Sequence, residues 1–293
     1  WVVHIEEGRY GEYRLRHLGE WGCTGIISCD PATATALAAF SRRTKTPMVV
    51  QTDDFKMPRS PFIIGNIRCD NVALAEAAAA YYLRAGFRRF AYVGEINHMV
   101  WSRERGSVFA RKVQEAGYEC LVYPDLSDVE RGDAAVGLRN LGRWLKSLPK
   151  PIALFAAYDV RARQALDICL QNGIAVPDEV AILGIDDDEA FCETAFPPLS
   201  SIPMNCEDAG FEAGRLLDKV MREGICPAAP TPISYTGTNV VERESTRPCR
   251  VTDPLTRRCL DLVELNIGSD LRVGDLAACL GISKRSLETR ILA

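Results

Sequence analysis

From the start of the chain to about residue 203, short apolar runs rich in β-branched residues alternate with longer stretches whose apolar positions recur at helical spacing. The short runs predict strands at 23–29, 47–51, 62–67, 89–94, 120–123, 152–157 and 180–185, and their near-continuous apolarity predicts burial on both faces. The longer stretches predict helices at 32–43, 71–85, 102–116, 132–148 and 160–172, each about the length of a crossover between parallel strands. Gly86, Gly117 and Gly173 directly follow three of them, where a left-handed cap is wanted. Alternation of this kind predicts an α/β fold with parallel sheets.

The pattern then changes. After Pro197 and Pro198 come one more helix at 205–221 and a β-rich return at 233–241. Residues 244–254 are polar, carry Pro248 and Pro254, and read as a linker into an all-helical pattern of about 40 residues. There, Val273, Leu276, Ala277 and Leu280 fall at i, i+3, i+4 and i+7, one face of a helix. Gly281 breaks the run, and Ser283 can cap a second helix carrying Leu287 and Ile291. This is helix-turn-helix spacing, which an ordinary helical hairpin shares.

Composition narrows the class. The chain has 293 residues, 47% hydrophobic and 25% charged, as expected of a folded water-soluble protein. A net charge of −4 gives no global attraction to nucleic acid, so DNA contact would have to come from a local patch. The second helix of the tail supplies one, with Lys284, Arg285 and Arg290 against Glu288. The eleven cysteines are scattered, odd in number and without any C-x-x-C, which predicts reduced thiols. His4, His17 and His98 form no metal-ligand spacing, so neither metal nor cofactor is expected. No signal peptide or membrane span is apparent, which points to the cytoplasm.

In open parallel sheets, ligands bind beyond the carboxyl ends of the strands. Acidic residues recur at those positions: Asp30, Asp53 or Asp54, Asp70, Asp159 and the run Asp186, Asp187, Asp188. A carboxylate accepts hydrogen bonds from neighbouring hydroxyls of a polyol and an arginine donates several, a combination suited to a neutral sugar. Aspartates at strand ends also cap the following helix, and Asp70 and Asp159 precede predicted helices. Phosphate-binding glycine loops and the G-x-S-x-G elbow are missing, leaving nucleotide and acyl-transfer chemistry without support.

The run from 159 to 202, DVRARQALDICLQNGIAVPDEVAILGIDDDEAFCETAFPPLSSI, and the run from 70 to 94, DNVALAEAAAAYYLRAGFRRFAYVG, resemble the sugar-binding domain of LacI/GalR-type repressors, itself similar to periplasmic sugar-binding proteins. The tail RVGDLAACLGISKRSLETRI resembles the first helix-turn-helix of an AraC-type DNA-binding domain. The two together resemble the xylose operon regulatory protein family. That resemblance implies a two-lobed sensor over 1–245, with one lobe at about 1–94 and 204–228 and the other at about 95–203 and 229–245. A linker at 246–251 and a reader segment at 252–293 follow. Members normally carry an additional opening strand and helix and a second helix-turn-helix, so the chain is expected to be cut at both ends.

Carried over residue by residue, the resemblance implies a sugar site of Asp70, Arg105, Asp159 and Asp186. Trp101 either stacks on the sugar or belongs to the core. Asp187 stands where the family often has Asn, and Val108 where its arginine element usually has Gly. DNA contact falls to Ser283, Lys284, Arg285, Ser286, Thr289 and Arg290. The expectation is a sugar-responsive, dimeric activator sensing xylose or a related aldose, and not an enzyme. A transport binding protein would share the sensor but have no use for residues 252–293. A sugar-modifying enzyme would need a base and an electrophile.

Overall fold

The apolar runs pair into two parallel sheets. The structure is a computed structural model describing residues 22–28, 34–51, 60–95, 99–124, 133–247, 255, 258–259, 262–263, 266 and 271–291. It divides into two units, Trp1–Thr246 and Arg247–Ala293. In the first unit the elements run β1 (Ile26–Ser28), α1 (Ala34–Thr44), β2 (Met48–Gln51), β3 (Ile63–Cys69), α2 (Asn71–Arg84), β4 (Phe90–Val93), α3 (Val100–Glu115) and β5 (Cys120–Val122). They continue with α4 (Ala134–Ser147), β6 (Ile152–Ala156), α5 (Asp159–Gln171), β7 (Val180–Asp186), α6 (Glu189–Cys192), β8 (Ser200–Pro203), α7 (Cys206–Glu223) and β9 (Thr231–Tyr235).

One sheet has the order β1-β2-β3-β9 and the other β5-β4-β6-β7-β8, every pair parallel. This is the expected α/β class. β4 and β6 are buried at every position, whereas the edge strands β1 and β5 expose Ile27 and Val122. The expectation of two-faced burial therefore fails at these two edge strands. Gly86, Gly117, Gly173 and Gly224 close α2, α3, α5 and α7 with φ between +67° and +88°. Gly106 serves packing instead: a Cβ there would collide with the Tyr92 ring.

The lobe boundaries differ from expectation. β4, assigned by sequence to the first lobe, lies inside the second sheet between β5 and β6. Helix α2 packs there too, laying Leu74, Ala75, Ala78 and Ala79 in one apolar cluster with Phe90, Phe109 and Phe155. The Tyr82 hydroxyl reaches into that sheet, donating to the Leu154 and Ala181 carbonyls at 2.9 and 3.1 Å. The first crossing is thus at 69–71. Conversely β9, expected in the second lobe, pairs with β3 of the first sheet. Apolar alternation identifies strands but carries no record of which sheet they join. Two short elements were not expected at all, α6 and the serine-bearing β8, because neither shows an apolar period.

The second unit contains α8 (Val273–Cys279) and α9 (Lys284–Ile291). Leu276, Ala277, Leu287 and Cys259 form its buried cluster, with Leu280 packed alongside. Val273 departs from the predicted face: at the first helical position it is 43% exposed. Gly281 takes φ +67°, and the Ser286 amide donates to the Ser283 hydroxyl at 3.1 Å, a side-chain cap on α9. Asp275 returns the favour on α8, its carboxylate accepting from the Arg272 amide at 3.1 Å.

Candidate functional site

The carboxyl ends of β4, β6 and β7 bring together Glu95, Trp101, Arg105, Tyr158, Asp159 and Asp186. Arg105 is central and only 4% exposed. Its Nε donates to Asn71 Oδ1 at 2.8 Å and its Nη1 to the Ala157 carbonyl at 2.6 Å. Among the described residues its Nη2 meets sulfur alone, Cys69 Sγ at 3.5 Å and Met204 Sδ at 3.7 Å. Sulfur is a weak acceptor, so this end of a buried guanidinium retains donor capacity. Cys69 and Met204 sit at two of the chain's crossings between sheets, which places Arg105 at the hinge of the lobes.

The guanidinium carbon of Arg105 lies 4.6 Å from the Trp101 ring centroid and covers one face of it. Tyr158 meets Trp101 edge-on, with centroids 5.7 Å apart at 90°. Burial raises the Tyr158 phenol above its ordinary range, and the neighbouring Glu95 carboxylate adds to the shift. Arg161, 2% exposed, ties the turn after β4 by donating to the Gly94 carbonyl at 3.0 Å. Ser102 Oγ accepts from the Glu95 amide at 2.9 Å, fixing the same turn from α3.

Asp186 ends β7 at φ +116°, followed by Asp187 at φ +55°, backbone that side-chain-bearing residues rarely adopt. Its carboxyl is pushed up to about 7, mostly by burial and also by nearby Asp159, with Arg105 acting in the opposite sense. Asp159, at 1% exposure, is held by protein groups alone. Its Oδ1 accepts from Ser201 Oγ at 2.6 Å, and its Oδ2 from the Asp188 amide at 2.9 Å and Cys192 Sγ at 3.3 Å. Burial lifts this carboxyl to about 6, with the hydrogen bonds from Ser201, Asp188 and Cys192 opposing the rise. A Cβ at Gly184 would strike Asp159 Oδ1, so the glycine makes room for it.

The five residues expected at the sensor site therefore divide. Trp101, Arg105 and Asp186 converge. Asp159 lies beneath them as a support for the 186–188 loop, because its oxygens are occupied and sealed from solvent. Asp70 takes the capping role that its position before α2 allows, its Oδ1 accepting from the Ala73 amide at 2.9 Å. Its backbone meanwhile ties the crossing to β9, the amide donating to the Tyr235 carbonyl at 2.9 Å. Asp30, Asp53 and Asp54 lie outside the described residues. A groove of about 560 Å³ between α4 and α5, lined by Arg139, Arg143 and Lys146 among others, lies on helix faces away from this site.

In the second unit, Ser283 just before α9 and Lys284, Arg285, Thr289 and Arg290 on it are exposed, and Ser286 is half-buried. Lys284 approaches Glu288 at 3.8 Å, one turn away, and Thr289 donates to the Arg285 carbonyl at 2.8 Å. Among the described residues no group of His, Cys, Asp and Glu could hold a metal ion. None of the described helices is long and apolar enough to cross a membrane.

A family model described as periplasmic binding protein-like domain matches residues 79–246, more than half of the chain. The chain belongs to this family. It is 28% identical, over 298 residues, to the xylose operon regulatory protein of Haemophilus influenzae, covering 99% of this chain and 74% of the relative. Identity is also 28% to the protein of that name from Escherichia coli, over 296 residues, 99% of this chain and 73% of the relative. A solved structure described as the xylose-binding transcription activator xylR superposes with a TM-score of 0.71 at 26% identity, covering 92% of this chain and 70% of that one. These relatives are named as regulators.

Sequence reasoning missed Asn71, Glu95, Tyr158 and Arg243. Asn71 and Tyr158 each adjoin an aspartate that was singled out, so a wider window at strand ends would have found them. Arg243 carried no local signal. It becomes visible through partners far away in the chain, among them Asp187, 56 positions off.

Proposed function

We propose that this chain is a sugar-responsive transcriptional regulator whose effector is an aldose of the xylose class. The observation that carries this reading is the grouping of Asp186, Arg105 and the Trp101–Tyr158 pair at the strand ends, beside the crossings that join the lobes. In it, Asp186 accepts hydrogen bonds from sugar hydroxyls and the Nη2 end of Arg105 donates to a ring or hydroxyl oxygen. Trp101 and Tyr158 offer apolar ring area to the C–H surface of the sugar. Asp159 and Asp70 act one step back, by shaping the 186–188 loop and the first crossing. No reaction is performed; binding favours the closed arrangement of the lobes to the extent that the sugar contacts both.

On the same reading the second unit is the DNA reader, of AraC type, with α9 as the recognition helix. Lys284, Arg285 and Arg290 meet phosphate, Ser283 and Ser286 support the approach, and Thr289 reaches a base edge. The regulator acts in the cytoplasm as a dimeric activator. The names of the relatives support the sugar class and the regulatory role.

Calorimetric titration against D-xylose, L-arabinose, D-ribose and D-glucose tests the reading. One pentose should bind, and Asp186→Ala and Arg105→Ala should each weaken it by about 100-fold or more, as expected for losing a partner of a buried charge-assisted hydrogen bond. A folded protein that binds none of the four sinks the proposal.

A further inference from the structure

After β9 the chain returns to the second lobe before the boundary at Thr246. Val241 and Ser201 exchange backbone hydrogen bonds of 2.8 and 3.2 Å across an antiparallel bridge. Ser245 and Thr246, 0% and 1% exposed, are then seated against β7 and β8. The Ser245 hydroxyl donates to the Ile182 carbonyl at 2.6 Å and accepts from the Ser200 amide at 2.8 Å. Thr246 Oγ1 lies 2.7 Å from Ser200 Oγ and 2.8 Å from the Tyr81 hydroxyl. Arg243 stands between these two anchorages. Its Nη1 donates to Asp187 Oδ1 at 2.8 Å and to the Leu199 carbonyl at 3.1 Å, and its Nε to Glu193 Oε1 at 2.7 Å.

The Asp187 partner belongs to the ligand loop. Two consecutive non-glycine residues at positive φ hold that shape only where surrounding contacts impose it. Among the described residues, three contacts reach the loop from other elements. The Asp187 amide donates to Ser201 Oγ at 3.0 Å, the Asp188 amide donates to Asp159 Oδ2 at 2.9 Å, and the Asp187 carboxylate accepts from Arg243. The first two arise from the second sheet and the helix behind it. The third comes from the segment through which the chain leaves the sensor. With side chains 14% and 21% exposed, the Arg243–Asp187 pair is largely withdrawn from water, so it is screened less than a surface pair.

We propose that Arg243 is a positioning residue of the ligand site, coupling the shape of the Asp186–Asp188 loop to the seating of residues 241–246. A ligand that engages Asp186 alters the backbone it shares with Asp187, and the ion pair carries the change to the last residues of the sensor. Linkage makes the effect mutual: a better-seated exit segment tightens ligand binding. This inference rests on the proposed sugar site.

Hydrogen exchange on the whole chain, read at peptides spanning 186–193 and 241–247 with and without saturating D-xylose, tests it alongside calorimetry. In the unaltered protein, sugar is expected to slow exchange at both peptides by about ten-fold. Arg243→Ala and Asp187→Asn should keep the response at 186–193, lose it at 241–247, and weaken sugar binding by about three- to ten-fold. Arg243→Lys should restore part of the response. Asp187→Asn keeps the result readable if removal of the arginine impairs folding. Equal slowing at 241–247 in the unaltered protein and in both variants overturns the role of Arg243 and leaves the sugar site standing, as does slowing at 186–193 alone in the unaltered protein. If neither D-xylose, L-arabinose, D-ribose nor D-glucose binds, the sugar site and this coupling fall together.

Discussion

The two units of the chain place their polar groups in opposite ways. In the sensor, Arg105, Asp159, Arg161, Ser200, Ser201 and Thr246 are buried, each held by several hydrogen bonds. Among the described residues of the second unit, the buried cluster is apolar apart from the Cys259 thiol, and of the polar residues named for DNA contact all but the half-buried Ser286 are exposed. A sensor must hold donors and acceptors in fixed directions away from water, where each discriminates strongly. A DNA reader must present cations outward, where phosphate contacts supply most of the affinity. The difference predicts separate responses to core damage. Phe155→Ala, in the middle of the second sheet, should cost the sensor about 3–5 kcal/mol. Leu287→Ala should cost about 2–4 kcal/mol, comparable to all that a small helical unit can spare. Calorimetric melting would show the first as a large fall in the main transition. Hydrogen exchange would show the second as lost protection at 271–291, with the main transition unmoved. A shared transition that shifts equally in both variants would mean that the units melt as one.

That contrast also governs what was legible in the sequence. Strands and helices of the sensor declared themselves because apolar burial imposes a period. The helix pair at 273–291 did so because Leu276, Ala277, Gly281, Ser283 and Leu287 each meet a local requirement of two helices joined by a short turn. The path of the chain between sheets left no local trace, so β4 and β9 were placed in the wrong lobes. Within the site, Arg105 and Asp186 were found through residues near them in the chain. What sequence could not supply for Asp70 and Asp159 is their surroundings: a helix-capping bond to one Asp70 oxygen, and a buried Asp159 whose two oxygens accept from Ser201, Asp188 and Cys192. Val273 shows the limit of period alone: the first turn of a helix can carry an apolar residue on the right face and still leave it in water.

A sharper test of the sensor's buried polarity is its pH dependence. The Asp186 carboxyl is pushed up to about 7 from an ordinary value of 3.8, chiefly by burial. The folded state therefore binds a proton that the unfolded state has released across that window, and the associated stability, present below about pH 4, is lost as pH rises through 7. Asp186→Asn removes the charge while keeping an acceptor, and Asn tolerates positive φ better than most residues. The variant should melt higher than the unaltered protein at pH 8, by an amount of the order of 1–3 kcal/mol, and by almost nothing near pH 4. Sugar binding should move the other way. Hydroxyl donors favour the carboxylate, so affinity should rise with pH through 7 in the unaltered protein and be weak and flat in the variant. A stability difference that is the same at both pH values would remove Asp186 as the cause.

The smallest effect on stability belongs to the reader's surface, and there the contrast can be read without disturbing the fold. Arg285 is exposed on α9. Arg285→Ala should leave the melting temperature within about 2 °C. If the side chain meets phosphate, binding to promoter DNA should weaken across all sequences, and the slope of log affinity against log salt should fall by about one. Thr289→Ala should instead alter preference at one base position and leave the salt slope as it was. Measured together by titration at several salt concentrations, the two variants separate a phosphate contact from a base contact on a single helix. A salt slope unchanged by Arg285→Ala would take this residue out of the interface and shift the proposed cationic contact to Lys284 and Arg290.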